Sequence, residues 1–272
     1  MVSRFRTDIK DLYRRAWQDL RRLRVSCPEV EPESTPVLAF GRFDKARVIT
    51  AGLNPSEDEF LAPANGRVKT PLLGSRQRFL HWPDDGRLTD ARLNEALRRA
   101  TGYFELGNDY EWFNRYGEFL EALRTPFKTG LACHTDYVSP FTTIKGISKC
   151  KEAQKAFREI GTHYWTEVLE LCPRAQVLFG HGRGWHLIEE ENLLGISKWH
   201  NISTPFDQKG DLRYRDRLKF AAGALPKSGR KLLVYWWCPN RDGSPLCYLN
   251  ASERRAIGTV VRRHVARRGI AL

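Results

Sequence analysis

No run in this 272-residue chain approaches the roughly 20 consecutive apolar residues that span a bilayer, and no apolar segment follows Met1 as in a secretory leader. A cytoplasmic protein that neither enters membranes nor is secreted is therefore expected. The six cysteines, at 27, 133, 150, 172, 238 and 247, form no CxxC pair and no His/Cys spacing typical of zinc or an iron–sulfur cluster. They read as reduced thiols, mostly in the core, and no metal is expected. Repeats and low-complexity segments are missing. So are the full glycine patterns of a P-loop or a dinucleotide site, which residues 180–184, Gly-His-Gly-Arg-Gly, match only superficially. No cofactor is expected either.

What the chain has in excess is positive charge, with 45 Lys+Arg against 32 Asp+Glu for a net +13. Such a surplus favours a polyanionic partner, although a generally basic soluble protein is the plainer explanation. Arginine is spread along the whole chain, so any basic surface must be assembled by folding. With 41% hydrophobic and 11% aromatic residues the sequence can build a full core, which argues against disorder.

The organising stretch is residues 47–56, Arg-Val-Ile-Thr-Ala-Gly-Leu-Asn-Pro-Ser. Its apolar β-branched half suits a buried parallel strand, and Pro55 forces Asn54 out of the α region into an extended turn. Asn54 thus stands at a strand's carboxyl end, where open α/β sheets bind ligands.

Upstream, residues 7–24 carry Ile9, Leu12, Trp17, Leu20 and Leu23 on a helical stripe between arginines. A proline-rich connector, residues 28–36, then leads to a strand expected near 37–40. Residues 57–82 hold prolines, glycines and few periodic apolar positions. A loop of that length is usually functional or mobile. Its aromatics Phe60, Phe79 and Trp82 are suited either to stacking on a base or to anchoring the loop.

Helices are expected over 89–100 and 109–123, a strand over 131–138, a helix over 149–171 and a strand over 176–180, with a short helix opening at 181–184. Residues 199–230 read as polar and irregular. Arg213, Arg215, Arg217 and Lys219 there form either a basic patch or a solvated charge run. A last strand at 231–237 and a final helix from about 251, with Asn250 and Glu253 in capping-box positions, complete the chain. Alternating strands and helices predict a three-layer α/β/α sandwich around a largely parallel sheet. Residues 1–36 would form an N-terminal helix and connector, and 37–272 the main domain. Four strand ends, marked by Asn54, Asp136, His181 and Asn240, are expected along one edge.

The order of these motifs resembles the uracil-DNA glycosylase superfamily over most of residues 37–265. Gly52-Leu53-Asn54-Pro55-Ser56 is similar to the family's first motif, whose Asn or Asp positions the attacking water. His134-Thr135-Asp136-Tyr137-Val138 falls where the family has a base-reading Asn. Residues 177–184 resemble its strand and Gly-rich turn, and Trp237-Cys238-Pro239-Asn240 through Leu246 stand in the place of its last motif. The usual His-Pro-Ser is not present in that motif.

The resemblance implies a DNA glycosylase that flips a base and hydrolyses its N-glycosidic bond, leaving an abasic site, with DNA as partner, no cofactor and no obligate protein partner. Asn54 and Asn240 would be catalytic, while Asp136, His134, Phe60 and His181 would surround the base. Arg183, Arg213, Arg215 and Arg241 would meet DNA, with Arg241 or Leu246 as the wedge in the duplex. No lysine sits in these motifs, so no Schiff-base lyase step is indicated.

Asp136 departs from the family's Asn, and the departure bears on the substrate. A carboxylate accepts hydrogen bonds, which suits the exocyclic amine of cytosine rather than the carbonyl of uracil. The competing reading is that Asp136 caps a turn or pairs with an arginine. Ordinary cytosine is not a tolerable target, so a 5-modified cytosine such as the glucosylated hydroxymethylcytosine of phage DNA is expected, in an antiviral role. The alternatives are a uracil or deaminated-base repair glycosylase, a non-catalytic DNA-binding module of the same fold, and a small-molecule nucleoside hydrolase.

Overall fold

A computed structural model describes residues 2–62, 69–107, 111–182, 185–206, 217–238, 246 and 249–272. The chain divides into two compact units, each assembled from three separated segments. The first comprises 1–41, 52–108 and 135–171, and the second 42–51, 109–134 and 172–272. The boundary expected at residue 36 falls inside the first unit's opening segment.

The second unit holds nearly all of a six-stranded sheet in a mixed α/β architecture. Its strands are β1 (Val48–Gly52), β2 (Ala132–Asp136), β3 (Val177–His181), β4 (His200–Asn201), β5 (Leu218–Ala224) and β6 (Lys231–Trp237), ordered β2-β1-β3-β6-β5-β4. β3 runs parallel to β1 and to β6, with Val177 opposite both Val48 and Leu233. The bonds from Val48 N–H to Leu131 O and from Tyr137 N–H to Gly52 O advance together along β1 and β2, which makes that pair parallel too. The carboxyl ends of these four strands therefore share one edge of the sheet. β5 and β4 add on antiparallel beyond β6.

Apolar runs rich in β-branched and aromatic residues explain β1, β3 and β6, which are buried along almost their whole length, while β2, Ala-Cys-His-Thr-Asp, is wholly buried without such a run. β5 was expected to be irregular, because Leu-Lys-Phe-Ala-Ala-Gly-Ala has no β-branched residue. It forms because β6 templates it over seven residue pairs and Phe220 packs on Tyr235, ring centroids 5.3 Å apart. In this unit α4 (Gly117–Leu123) packs on α7 (Ala251–Arg267), where Gly258 lets the helices close. A Cβ there would stand 2.4 Å from the Phe119 carbonyl oxygen. Asn250 and Glu253 form the expected capping box of α7. Instead of one helix over 109–123, α3 (Glu111–Asn114) stops before Gly117 and α4 restarts there.

In the first unit α1 (Val2–Ser26) buries Ile9, Leu12, Ala16, Leu20 and Leu23. It is tied to α5 (Lys151–Glu170) by Arg15 with Glu167 at 2.6 Å and by the Tyr164 hydroxyl donating to Asp19. Its basic amphipathic stripe thus packs within its own unit. α5 also presses on the chain after β2, since a Cβ at Gly161 would lie 1.8 Å from the Val138 carbonyl oxygen. α2 (Asp90–Thr101) is capped by the Thr89 hydroxyl. Residues 37–40, expected as a strand, are buried but form no named strand, and the Val37 N–H bonds to the Pro140 carbonyl. An apolar run shows burial without showing a ladder partner. Between α5 and β6 the chain also forms α6 (Trp185–Glu190). Among the described residues no helix is long and apolar enough to cross a membrane, and Cys27, Cys133, Cys150, Cys172 and Cys238 are buried and form no disulfide there.

Candidate active site

Asn54 follows β1 in the first unit. Its Nδ2 donates to the carbonyls of Pro55 at 3.1 Å and Phe141 at 3.3 Å and reaches Thr143 Oγ1 at 3.5 Å. These acceptors identify which end of the amide is nitrogen, because an oxygen turned toward two carbonyls would be repelled. Oδ1 is thereby the acceptor end of the amide. The backbone beyond Asn54 turns at Ser56, whose side chain accepts from the Asp58 N–H and starts the 3-10 turn Glu57–Glu59.

That turn sorts three consecutive acids. Glu57 and Asp58 stay part-exposed and share Lys69, whose Nζ is 2.9 Å from each. Glu59 points inward and is 1% exposed. Its Oε2 accepts from the Tyr103 hydroxyl at 2.7 Å and lies 3.6 Å from Arg78 Nη1, which also donates to the Asp58 carbonyl. Its Oε1 is buried with no hydrogen-bond partner among the described residues. Burial pushes the Glu59 carboxyl up to about 7 against the pull of Arg78 and Tyr103, and the charge of Asp136 adds to the rise. Asp136, the last residue of β2, is itself 7% exposed.

Phe60 is wholly buried. Its ring meets Phe79 at 5.7 Å and His81 at 6.3 Å, and Phe79 in turn stacks on Tyr103 at 5.4 Å. It therefore anchors the 57–82 segment and does not present a face to a base. The same segment is pinned by a Trp17–Trp82 stack with centroids 4.5 Å apart, and by bonds from Leu72 N–H to Phe60 O and from Trp82 N–H to Glu33 O.

The second unit carries His134 and His181. His134 Nδ1 is 2.8 Å from Thr50 Oγ1 on β1, and its ring sits edge-on to Trp112 at 4.8 Å and Phe113 at 5.2 Å. His181, ending β3, lies 6.0 Å from Trp112 and 5.7 Å from Tyr116, and neither buried ring nitrogen has a hydrogen-bond partner among the described residues. Burial, seconded by His134, lowers its pKa to about 4, so the ring is neutral at physiological pH.

Gly180 has a packing role that the glycine pattern did not disclose. The Trp236 ring crosses it so closely that a Cβ would stand 2.1 Å away, and Trp236 Nε1 donates to the Gly182 carbonyl. Leu246, expected as a wedge, is 1% exposed and so does not project in this structure. Asn240, Arg183, Arg213, Arg215 and Arg241 lie outside the described residues. Among the described residues no group of three or more His, Cys, Asp or Glu side chains is arranged to hold a metal ion.

Two contributions escaped the sequence. Glu59 was hidden in an acidic run that reads as solvated, and only its neighbour Phe60 signals an inward turn. Trp112 and Tyr116 read as plain core on a helical stripe, whereas they flank the histidines. No protein-family model, no curated protein and no solved structure matches this chain.

Proposed function

We propose that this chain is a DNA glycosylase that hydrolyses the N-glycosidic bond of a 5-modified cytosine, on a three-layer α/β/α fold like that of the uracil-DNA glycosylases. The orientation of Asn54 carries this reading. An amide whose nitrogen is spent on two carbonyls offers a fixed acceptor at a strand end, which is what aligning a water requires. An amide is a poor general base, so the rate must come from alignment and from stabilising the departing base. The strand order supports the same reading. β2, β1, β3 and β6 are neighbours, so motifs some 180 residues apart in sequence end on one sheet edge.

The target nucleotide would leave the stack at a cost of a few kcal/mol. Asp136 would accept from its exocyclic amine, and that contact would weigh against uracil by about 1–3 kcal/mol. A net charge of +13 supports phosphate binding.

The test is to incubate the protein with matched duplexes containing uracil, cytosine, 5-hydroxymethylcytosine or its glucosylated form, and to score abasic sites by alkaline cleavage beside Asn54→Ala. The expected result is cleavage of modified-cytosine DNA alone, lost in Asn54→Ala with DNA affinity kept. Cleavage of uracil DNA alone would replace this reading with repair. Salt-sensitive binding with no base release would replace it with a binding module, and release from free nucleosides with a small-molecule hydrolase.

A further inference from the structure

A cytosine-type edge presents two groups side by side, an exocyclic amine that donates and the ring nitrogen N3 that accepts. An ionised aspartate answers the first and is of no use to the second. The ring nitrogen needs a donor, and so does the chemistry. A cytosine leaving through N1 departs as a poor anionic leaving group unless a proton reaches the ring.

Among the described residues of the first unit, Glu59 is a side chain suited to that task. Glu59 is fixed by the Tyr103 hydroxyl at Oε2, is held near Arg78, and keeps Oε1 buried and unpartnered among the described residues. Asp136 lies close enough for its charge to act on Glu59. That charge adds to burial in favouring the protonated form of Glu59. The groups that set this balance are Arg78 from the 57–82 segment, Tyr103 from the turn after α2, and Asp136 from the end of β2. Burial and Asp136 favour the protonated acid, while Arg78 and Tyr103 favour the anion.

We propose that Glu59 is a catalytic proton donor to the ring nitrogen of an aminopyrimidine whose exocyclic amine is accepted by Asp136, so that the two carboxyls together read the base edge. This rests on the glycosylase reading above. In the step itself the C1′–N1 bond breaks and its electron pair stays on the base. The Glu59 proton goes to N3, and the base leaves as a neutral tautomer. Water adds to C1′ and sheds a proton to solvent, from which Glu59 is reprotonated. Uracil offers the opposite pattern, a carbonyl to Asp136 and an N–H to the Glu59 O–H. Each mismatched contact should cost roughly 5- to 150-fold.

The experiment is single-turnover base release from hydroxymethylcytosine and glucosylated hydroxymethylcytosine duplexes between pH 5 and 9. It compares the wild type with Glu59→Gln and Tyr103→Phe, each checked for folding by circular dichroism and for DNA affinity. The wild-type rate should fall about tenfold per pH unit above neutrality, as the acid is lost. Glu59→Gln keeps size and polarity but has no proton to transfer. Its rate at pH 6 should drop on the order of 100-fold with the alkaline fall abolished and affinity unchanged. Tyr103→Phe removes a bond that favours the anion, so its alkaline limb should move to higher pH. A Glu59→Gln profile that follows the wild type overturns the proposal and leaves the glycosylase reading intact. If Glu59→Gln does not fold, an unmoved limb in Tyr103→Phe overturns it. Absence of release from every substrate by the wild type overturns the glycosylase reading, and this proposal with it.

Discussion

Replacing Glu59 by Gln should change how stability depends on pH, whatever the chain does to DNA. The carboxyl holds its proton to about 7 in the folded protein, against an ordinary 4.5. The unfolded chain therefore releases that proton first as pH rises, and the folded state is penalised. Its stabilising contribution is complete below the ordinary value and falls away as pH rises through the folded one. At ~1.4 kcal/mol per pH unit, the penalty grows by about 2.5 kcal/mol between pH 5 and pH 8. Glutamine carries no such term and still offers an oxygen to the Tyr103 hydroxyl. Urea unfolding at several pH values, followed by tryptophan fluorescence, should show Glu59→Gln gaining on the wild type by about that amount from pH 5 to 8. The comparison cancels any constant cost of the substitution. A stability difference that stays level across the range, within about 0.5 kcal/mol, would refute the raised carboxyl and remove the physical basis for a proton donor.

His181 should remain neutral across pH 5 to 8. Its imidazole NMR shifts should stay constant there and move only as pH falls toward about 4. Because its pKa is lowered, the stability it contributes is present above the ordinary 6.5 and is lost as pH falls through the lower value. Gly161→Ala should cost about 3 kcal/mol or more, or abolish soluble expression, since the new Cβ would lie 1.8 Å from a backbone oxygen. Gly117→Ala at the start of α4 meets nothing within 4 Å and should be neutral or slightly stabilising. Thermal unfolding of the two alanine variants side by side checks both.

The sequence exposed those features whose physics is local. Pro55 behind a β-branched run was enough to place Asn54 at a strand end, and Asn250 with Glu253 was enough to start α7. β1, β3 and β6 were legible because burial on both faces favours apolar runs, which they carry. β5 was not, since Ala221, Ala222, Gly223 and Ala224 take their conformation from β6 and not from themselves. Within the candidate site, the amide and the aspartate were readable as residue types. The inward turn of Glu59 was not, because nothing in Glu57-Asp58-Glu59 says which acid will face away from Lys69. Phe60 was read as suited to a base or to the core, and burial decides for the core.

The alternation of segments between the two units has a consequence for how the protein can be made and cut. The chain changes unit after Gly41, Ala51, Asn108, His134 and Leu171, so neither unit is a continuous stretch of polypeptide. No single cut separates them: residues 1–171 hold all of the first unit with two segments of the second, and residues 42–272 hold all of the second with two segments of the first. During synthesis α1 emerges well before α5, which it packs against across some 140 residues of chain. Closing loops of that length must precede the contacts that reward it, which favours slow folding late in translation. An N-terminal helix that looks detachable in the sequence is in this way committed to waiting for the middle of the chain.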